Sequence, residues 1–431
     1  MCSMHRRDFL KSTAAISMLG LAPSLAAASG HQAKRVVVVR AFGGWDVTFC
    51  MDPRNTSSTI DGPDWNDGGS TNEVITSYGG IPIMKNTDRR PAVDTFFTAN
   101  ASNTLVVNGI YTGSIVHEEC RKRIITGSRD VTAADVGALS AVTSGTEYTL
   151  PYLDLTGGAR VGSYAAQTGS LGRNNQILAL VDRDVPLVGP LGSDIRYPIF
   201  TPNPAQREGI ENYLSARNQA WQSRGFTDSA SAKRIADLQE AYSRKLSLYE
   251  DRALLQDNLV FGQSGDLTSQ AVTAVELMKA GLCHSASLDT GFSWDTHDDI
   301  DDQNGMYESL FTGLSQLVSG LKAEGLFDDT LIVVVSEMTR TPKMNADSGK
   351  DHWPSTSAML ISGDLAGGRV LGGSTPDTLD ADFVDLSTGE LSSSSSVKIN
   401  FDNFAAGVLH ASGVDSTTHL PNVEVLHGIV D

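Results

Sequence analysis

The chain has 431 residues, and its 33 basic against 51 acidic side chains leave a formal charge of −18. Apolar residues make up 40% and charged residues 19%, an ordinary globular balance that excludes a disordered chain. An acidic surface repels phosphate backbones and anionic lipid, which argues against nucleic acid as a partner. Beyond the N-terminal segment no run approaches the ~18 apolar residues of a spanning helix, so no transmembrane anchor is expected.

In chain order the first element is an address. His5-Arg6-Arg7-Asp8-Phe9-Leu10-Lys11 precedes a weakly apolar stretch from Ala14 to Leu25, and Ser24 to Ala28 supply small residues suited to a signal peptidase, with cleavage after Ala28. Arg6-Arg7 followed by Phe9-Leu10-Lys11 resembles the twin-arginine export signal. That resemblance implies passage of the folded protein through the twin-arginine translocation machinery to the periplasm or the cell exterior. Cys2 leaves with the signal. Cys50, Cys120 and Cys283 remain, without a Cys-x-x-Cys pair, and buried unpaired thiols are expected.

The mature chain, 29–431, reads as one α/β domain. Lys34 to Arg40 is a continuous β-branched run, as in a parallel strand buried on both faces. Residues 52–90, rich in Asp, Asn, Gly, Ser and Thr, read as a long loop. Thr104 to Asn108 suggests a strand, and Val116 to Thr126 a helix closing at Gly127. Residues 130–200 are irregular, with a strand signal at Ile177–Val181. Around 204–262 Glu, Arg, Lys, Gln, Ala and Leu dominate at helical spacing, which reads as a helical insertion. A helix is expected over Ser269–Gly281. Then come a strand over Ser285–Trp294, a long helix through Met306, Leu310, Leu314, Leu317 and Leu321, and a strand over Thr330–Val335. Strand, long helix, strand is a βαβ unit, hence a parallel sheet. Strands near Ala358–Ser362 and Val397–Phe401, a hairpin at 385–396 and a helix over Asn403–Ala411 complete a largely parallel central sheet flanked by helices.

Polar residues follow these strands. Asp46 comes after the first and its Gly43-Gly44 turn, Asp295 and His297 precede the long helix, and Glu337 follows Ser336. The carboxyl ends of parallel strands share one sheet edge, so these side chains can converge there. His352 sits in a polar loop short enough to fold over that edge. Carboxylates with imidazoles suit Zn²⁺, Mn²⁺ or Fe²⁺ as a divalent metal, in preference to Ca²⁺ or Mg²⁺. Each element has an ordinary reading too: Asp46 as a turn cap, the Asp-x-His pair as surface hydrogen bonding, Glu337 as an ion pair with Arg340. Asp61, Asp64 and Asp67 read more readily as an acidic loop than as a Ca²⁺ site.

Together, Gly43-Gly44-Trp45-Asp46, Trp294-Asp295-Thr296-His297, Ser336-Glu337-Met338-Thr339-Arg340-Thr341 and Asp351-His352 resemble an exported bacterial family catalogued as domain of unknown function 1501. His117 ahead of Thr126-Gly127, and Met359-Leu360 before Gly367-Gly368-Arg369-Val370, extend the likeness from about residue 35 to the C-terminus. That family is similar to the alkaline phosphatase and sulfatase superfamily. The resemblance implies that fold, with Asp46, Asp295, His297, Glu337 and His352 as metal ligands. It also places His117 beside the metal as ligand or base, Thr112 or Ser114 as nucleophile candidates, and Arg340 on a substrate oxyanion. The sequence departs from the superfamily where its late acidic ligand, usually Asp-His, is Glu337-Met338, and it lacks a sulfatase Cys-x-Pro-Ser-Arg. Two readings follow: an exported metal-dependent hydrolase of small or polymeric phosphate- or sulfate-type esters, or a non-catalytic exported protein that keeps the fold and binds a protein partner or surface polymer.

Overall fold

The computed structural model describes residues 33–65, 72–170, 187–188, 196–197, 203–224, 228–258 and 265–430. The signal segment and the strand signal at Ile177–Val181 lie outside them.

Strand β1 (Arg35–Arg40) is central because valine fills both its faces. Val37 and Val39 enter one hydrophobic layer, Val36 and Val38 the other. The remaining strands in chain order are β2 (Val74–Tyr78), β3 (Ile81–Lys85), β4 (Thr104–Tyr111), β5 (Leu150–Asp154), β6 (Thr168–Ser170), β7 (Leu187–Val188), β8 (Arg196–Tyr197), β9 (Cys283–Asp289), β10 (Thr330–Val335), β11 (Thr339–Arg340), β12 (His352–Trp353), β13 (Ser355–Ile361) and β14 (Arg369–Gly372). Eight of them form one sheet in the order β14-β4-β13-β10-β1-β9-β5-β6. Within it β13 alone runs against the rest, so the sheet is largely parallel. The segment from β9 through the long helix to β10 crosses over β1, which pairs with both.

Helices cover both faces. Pro91–Asn100, Leu267–Lys279 and Asp302–Ala323 pack on the Val37 side, the last burying Tyr307, Leu310, Phe311, Leu314, Leu317 and Leu321 along one stripe. His117–Thr126, Val136–Ser144 and Phe401–Ala411 pack on the Val36 side. The first of these stops where Gly127 adopts φ 67°, a left-handed turn suited to glycine. Helices Pro204–Arg224 and Ser229–Glu250 occupy the region read as an insertion, and no described residue of the second is buried. Arg244 ties that second helix to the body through the Tyr148 carbonyl at 2.6 Å.

Four expectations need correction. The stretch read as irregular over 130–200 holds the helix Val136–Ser144 and the sheet strands β5 and β6, short elements whose small and mixed residues carry little periodicity. The loop read over 52–90 contains the β2–β3 hairpin, whose Ile81, Ile83 and Met84 are buried; an average over the polar segment hides that short pattern. The strand read over Ser285–Trp294 ends at Asp289, where the chain turns through Gly291 at φ 82°. No extended strand forms over Val397–Phe401: Lys398 and Asn400 make single bridges, and Asn400 with Asn403 closes a capping box that starts a helix at Phe401. Cys50, Cys120 and Cys283 are free and buried. No helix among the described residues is long and apolar enough to cross a membrane.

Candidate metal centre

The carboxyl ends of β1, β4, β9 and β10 lie on one sheet edge, and β13, running the other way, begins there. The segments after β4, β9 and β10, and the one just before β13, bring His117, Asp295, Glu337 and His352 into one neighbourhood. Ligand atoms of His117, Asp295 and His352 all lie within 4.8 Å of one another. Asp295 Oδ2 is 3.3 Å from His117 Nε2, and Asp295 Oδ1 is 3.0 Å from His297 Nε2 and 3.2 Å from His352 Nε2. His297 Nε2 and His352 Nε2 face each other at 3.0 Å.

What turns these imidazoles inward is their other nitrogen. His117 Nδ1 is 2.7 Å from Glu337 Oε1, His297 Nδ1 is 3.1 Å from Asp351 Oδ1, and His352 Nδ1 is 2.9 Å from the Ile115 carbonyl. Each of those partners accepts only, so each Nδ1 donates. In the neutral ring that leaves an Nε2 lone pair, and all three Nε2 atoms point at the Asp295 carboxylate. His117 Nε2 is buried without an aligned hydrogen bond, and two Nε2–H groups would clash at 3.0 Å. Ligand atoms around a tetrahedral ion with bonds of about 2.0–2.1 Å stand about 3.3 Å apart, close to the separations here. His117, Asp295 and His352 thus fit a borderline divalent ion in donor type and spacing, with His297 beside them, against Asp295 and His352, and every imidazole oriented through Nδ1.

The surrounding charges favour ionised carboxylates. Burial opposes the charge on Asp295, yet the hydrogen bond and charge of Arg340 and the contact with His352 outweigh it and hold the carboxyl well below its usual range. Burial likewise opposes charge on Glu337, and His117, the Gly43 N–H and Arg121 together pull its pKa down. Hydrogen bonding to Glu337 raises the pKa of His117 against the opposing effect of burial.

Not every candidate joins the cluster. Asp46 is fully buried: its Oδ2 lies 2.6 Å from Lys350 Nζ, while Oδ1 accepts from the Thr48 N–H and hydroxyl. Its carboxylate is therefore committed to the interior. Glu337 is also fully buried and holds His117 from behind, accepting from Gly43 N–H at 2.9 Å and Arg121 Nε at 3.1 Å. Arg340, with no exposure, points its donors at the carbonyls of Gly43, Gly44, Trp294 and Lys350 and at Asp295, and its burial keeps it from a substrate oxyanion. Thr112 donates to the Ser114 carbonyl and the Ser114 hydroxyl accepts from Val116 N–H, so neither hydroxyl is directed at the imidazoles. Asp61 accepts from Lys343 and the Met344 N–H, and Asp64 from Thr56, so both carboxylates are engaged within loops; Asp67 lies outside the described residues.

Arg121 is the cation the sequence reading passed over. It is half-buried, contacts Glu337, and lays its guanidinium 5.6 Å from the Phe42 ring centroid. Its position four residues after His117 puts both on one helix face, which is the signal that points to it.

The family model described as "Protein of unknown function (DUF1501)" matches residues 33–424. No curated protein matches the chain. Among solved structures, PsFucS1 sulfatase from Pseudoalteromonas sp. is 10% identical with a TM-score of 0.38, covering 93% of this chain and 72% of that one. A protein in the alkaline phosphatase superfamily from Vibrio parahaemolyticus is 12% identical with a TM-score of 0.39, covering 89% and 67%. The lipoteichoic acid synthase LtaP from Listeria monocytogenes is 11% identical with a TM-score of 0.31, covering 92% and 74%.

Proposed function

We propose, for a chain that belongs to the DUF1501 family of unknown function, a metal-dependent hydrolase acting on phosphate- or sulfate-type esters outside the cytoplasm. The observation that carries the reading is the orientation of His117, His297 and His352, each held at Nδ1 so that Nε2 meets the Asp295 carboxylate. His117, Asp295 and His352 would hold the ion, with His297 beside them, and this donor set favours Zn²⁺, Mn²⁺ or Fe²⁺. When bound, such an ion supplies Lewis acidity toward an ester oxygen and a lowered pKa for water. The chain's own residues do the rest. Glu337 and Asp351 orient imidazoles, Arg340 fixes Asp295, and the open part of Arg121 offers an anion contact beside His117 in place of Arg340. Export rests on the twin-arginine motif at residues 6–11 ahead of a single domain with a helical insertion, and fractionation of cells making the full chain checks it.

A second reading, a non-catalytic exported protein that keeps the fold, with or without an ion, and binds a partner or polymer, is favoured by one observation: the Thr112 and Ser114 hydroxyls are engaged in their own loop.

Elemental analysis of the purified protein, beside Asp295→Ala and His352→Ala, tests the centre. About one equivalent of transition metal in the parent, lost in both folded variants, is expected. Hydrolysis of aryl phosphates and aryl sulfates by the loaded protein, absent from both variants, then supports the hydrolase. A loaded protein that turns over neither ester supports the binding reading, and no metal in the parent overturns the hydrolase and leaves the binding reading.

A further inference from the structure

Lys350 and Asp46 form an ion pair away from water, with Lys350 1% exposed and Asp46 not exposed at all. Lys350 Nζ lies 2.6 Å from Asp46 Oδ2 and 2.6 Å from the Asp61 carbonyl. Burying two charges is costly, and a pair of hydrophobic residues often serves stability as well, so such a pair calls for another reason. Its position supplies one. Lys350 immediately precedes Asp351 and His352, which respectively support His297 and face Asp295. Asp46 closes the Gly43-Gly44 turn, whose carbonyls hold Arg340, the residue that fixes Asp295.

The rest of the 341–353 loop is fastened to the same frame. Asp61 holds Lys343 and the Met344 N–H, its own N–H bonds to the Pro342 carbonyl, and Arg340 Nη1 holds the Lys350 carbonyl at 3.0 Å. Next to Lys350, Gly349 passes so close to the other arm of the centre that a Cβ there would lie 1.9 Å from the His297 carbonyl oxygen. An error in the placement of Lys350 is thus transmitted directly to both histidine arms.

We infer that Lys350 and Asp46 are positioning residues for the candidate metal centre, their buried contact setting the loop that delivers Asp351 and His352 to Asp295; this rests on the metal reading above. Asp46 then acts on the ion through Lys350 rather than as a ligand.

The test removes the two charges together, since one charge left alone in the interior threatens the fold. In Asp46→Asn/Lys350→Met the amide oxygen can keep the Thr48 contacts. The full-length parent and variant are titrated with Zn²⁺ and with Mn²⁺ against a chelator, and hydrogen exchange across 344–352 is followed in metal-free protein. Expected are a cooperatively melting variant, metal affinity weakened about ten- to a hundred-fold, and exchange in the loop accelerated at least about ten-fold. Lys350→Arg, which keeps a cation facing Asp46, should recover part of the affinity. A parent that binds metal and a folded variant that binds it equally well overturn the positioning role while leaving the centre standing. A variant that fails to fold, beside a Lys350→Arg protein with parental affinity and exchange, makes the pair a structural element only and overturns the proposal as well. A parent that binds neither ion removes the metal reading and this inference with it.

Discussion

Gly43 shows how much of the site is decided by one residue. Its φ of 128° lies in the left-handed region, and a Cβ on it would stand 2.3 Å from the Trp294 backbone nitrogen. The turn after β1 passes directly beneath the Trp294-Asp295 segment, and its Gly43 N–H feeds both Glu337 oxygens at 2.9 Å. Gly43→Ala should therefore cost at least about 2 kcal/mol in urea denaturation through strain and displaced backbone, and should weaken metal uptake because Asp295 moves with that segment. A folded variant with parental stability would refute the close approach. At this scale Asp295 and His297 are legible as polar residues after an apolar strand, and His352 as a residue of a polar loop short enough to reach the same edge. Asp46 has the same strand-end signature, and its real partner, Lys350, is 304 positions away. Nothing in local spacing separates a carboxylate that faces solvent at a strand end from one captured by a distant lysine. The carbonyl of Ile115, which holds His352, carries no side-chain signal whatever.

Between elements, two buried groups oppose each other in pH. Asp135 caps the Val136–Ser144 helix through the Ala138 N–H, and His284 sits on the adjacent strand β9. Burial pushes the pKa of His284 down to about 4, aided by Arg35. The unfolded chain takes up a proton near pH 6.5 that the fold refuses, so this contribution is present above about 6.5 and is lost toward about 4, worth about 3 kcal/mol. Burial raises Asp135 to about 6, against the hydrogen bonds from the Ala138 and Arg160 N–H groups. The fold keeps a proton that the unfolded chain releases near 4, so this contribution of about 3 kcal/mol is present below about 4 and fades as the pH reaches about 6. The two slopes nearly cancel. Asp135→Asn, which can still cap, should make the protein lose stability relative to the parent as the pH falls from 6 to 4, and His284→Gln should shift the difference in the other direction. Parallel pH profiles for parent and both variants, measured by urea midpoint, would refute the opposition. The long helix Asp302–Ala323 and the central strands β1 and β10 are readable from period and valine runs, whereas the helix Val136–Ser144 and strand β5 lie in a stretch read as irregular and the helix Pro91–Asn100 follows one read as loop. The β2–β3 hairpin is not readable either, because its pairing across Gly79-Gly80 occupies a few residues within a polar stretch, and β14 gains its place only by pairing with β4, over 250 residues earlier.

For the molecule as a whole, the parallel sheet follows from strands buried on both faces, and the convergence at its carboxyl edge from their common direction. The strand order was beyond the sequence, since β1 separates β9 from β10 by a crossover that local pattern does not specify. That architecture predicts how an ion should act on stability. The two hydrophobic layers close on the sheet without using His117, Asp295 or His352, whereas these candidate ligands lie on segments after β4, after β9 and just before β13. Metal removal should thus loosen the edge while the core persists, with far-UV signal retained in chelator. Binding to the native state alone stabilises by RT ln(1 + [L]/Kd), about 2.7 kcal/mol when the free ion exceeds Kd a hundred-fold. Urea midpoints should rise with Zn²⁺ or Mn²⁺ by about 1.4 kcal/mol per decade beyond Kd, at nearly constant slope. In Asp295→Ala that dependence should vanish, while the metal-free stability falls below the parent's because the buried Arg340 loses its carboxylate. A chelated parent that unfolds outright would instead make the ion part of the core's own stability, and midpoints indifferent to either ion would show that the four side chains hold none.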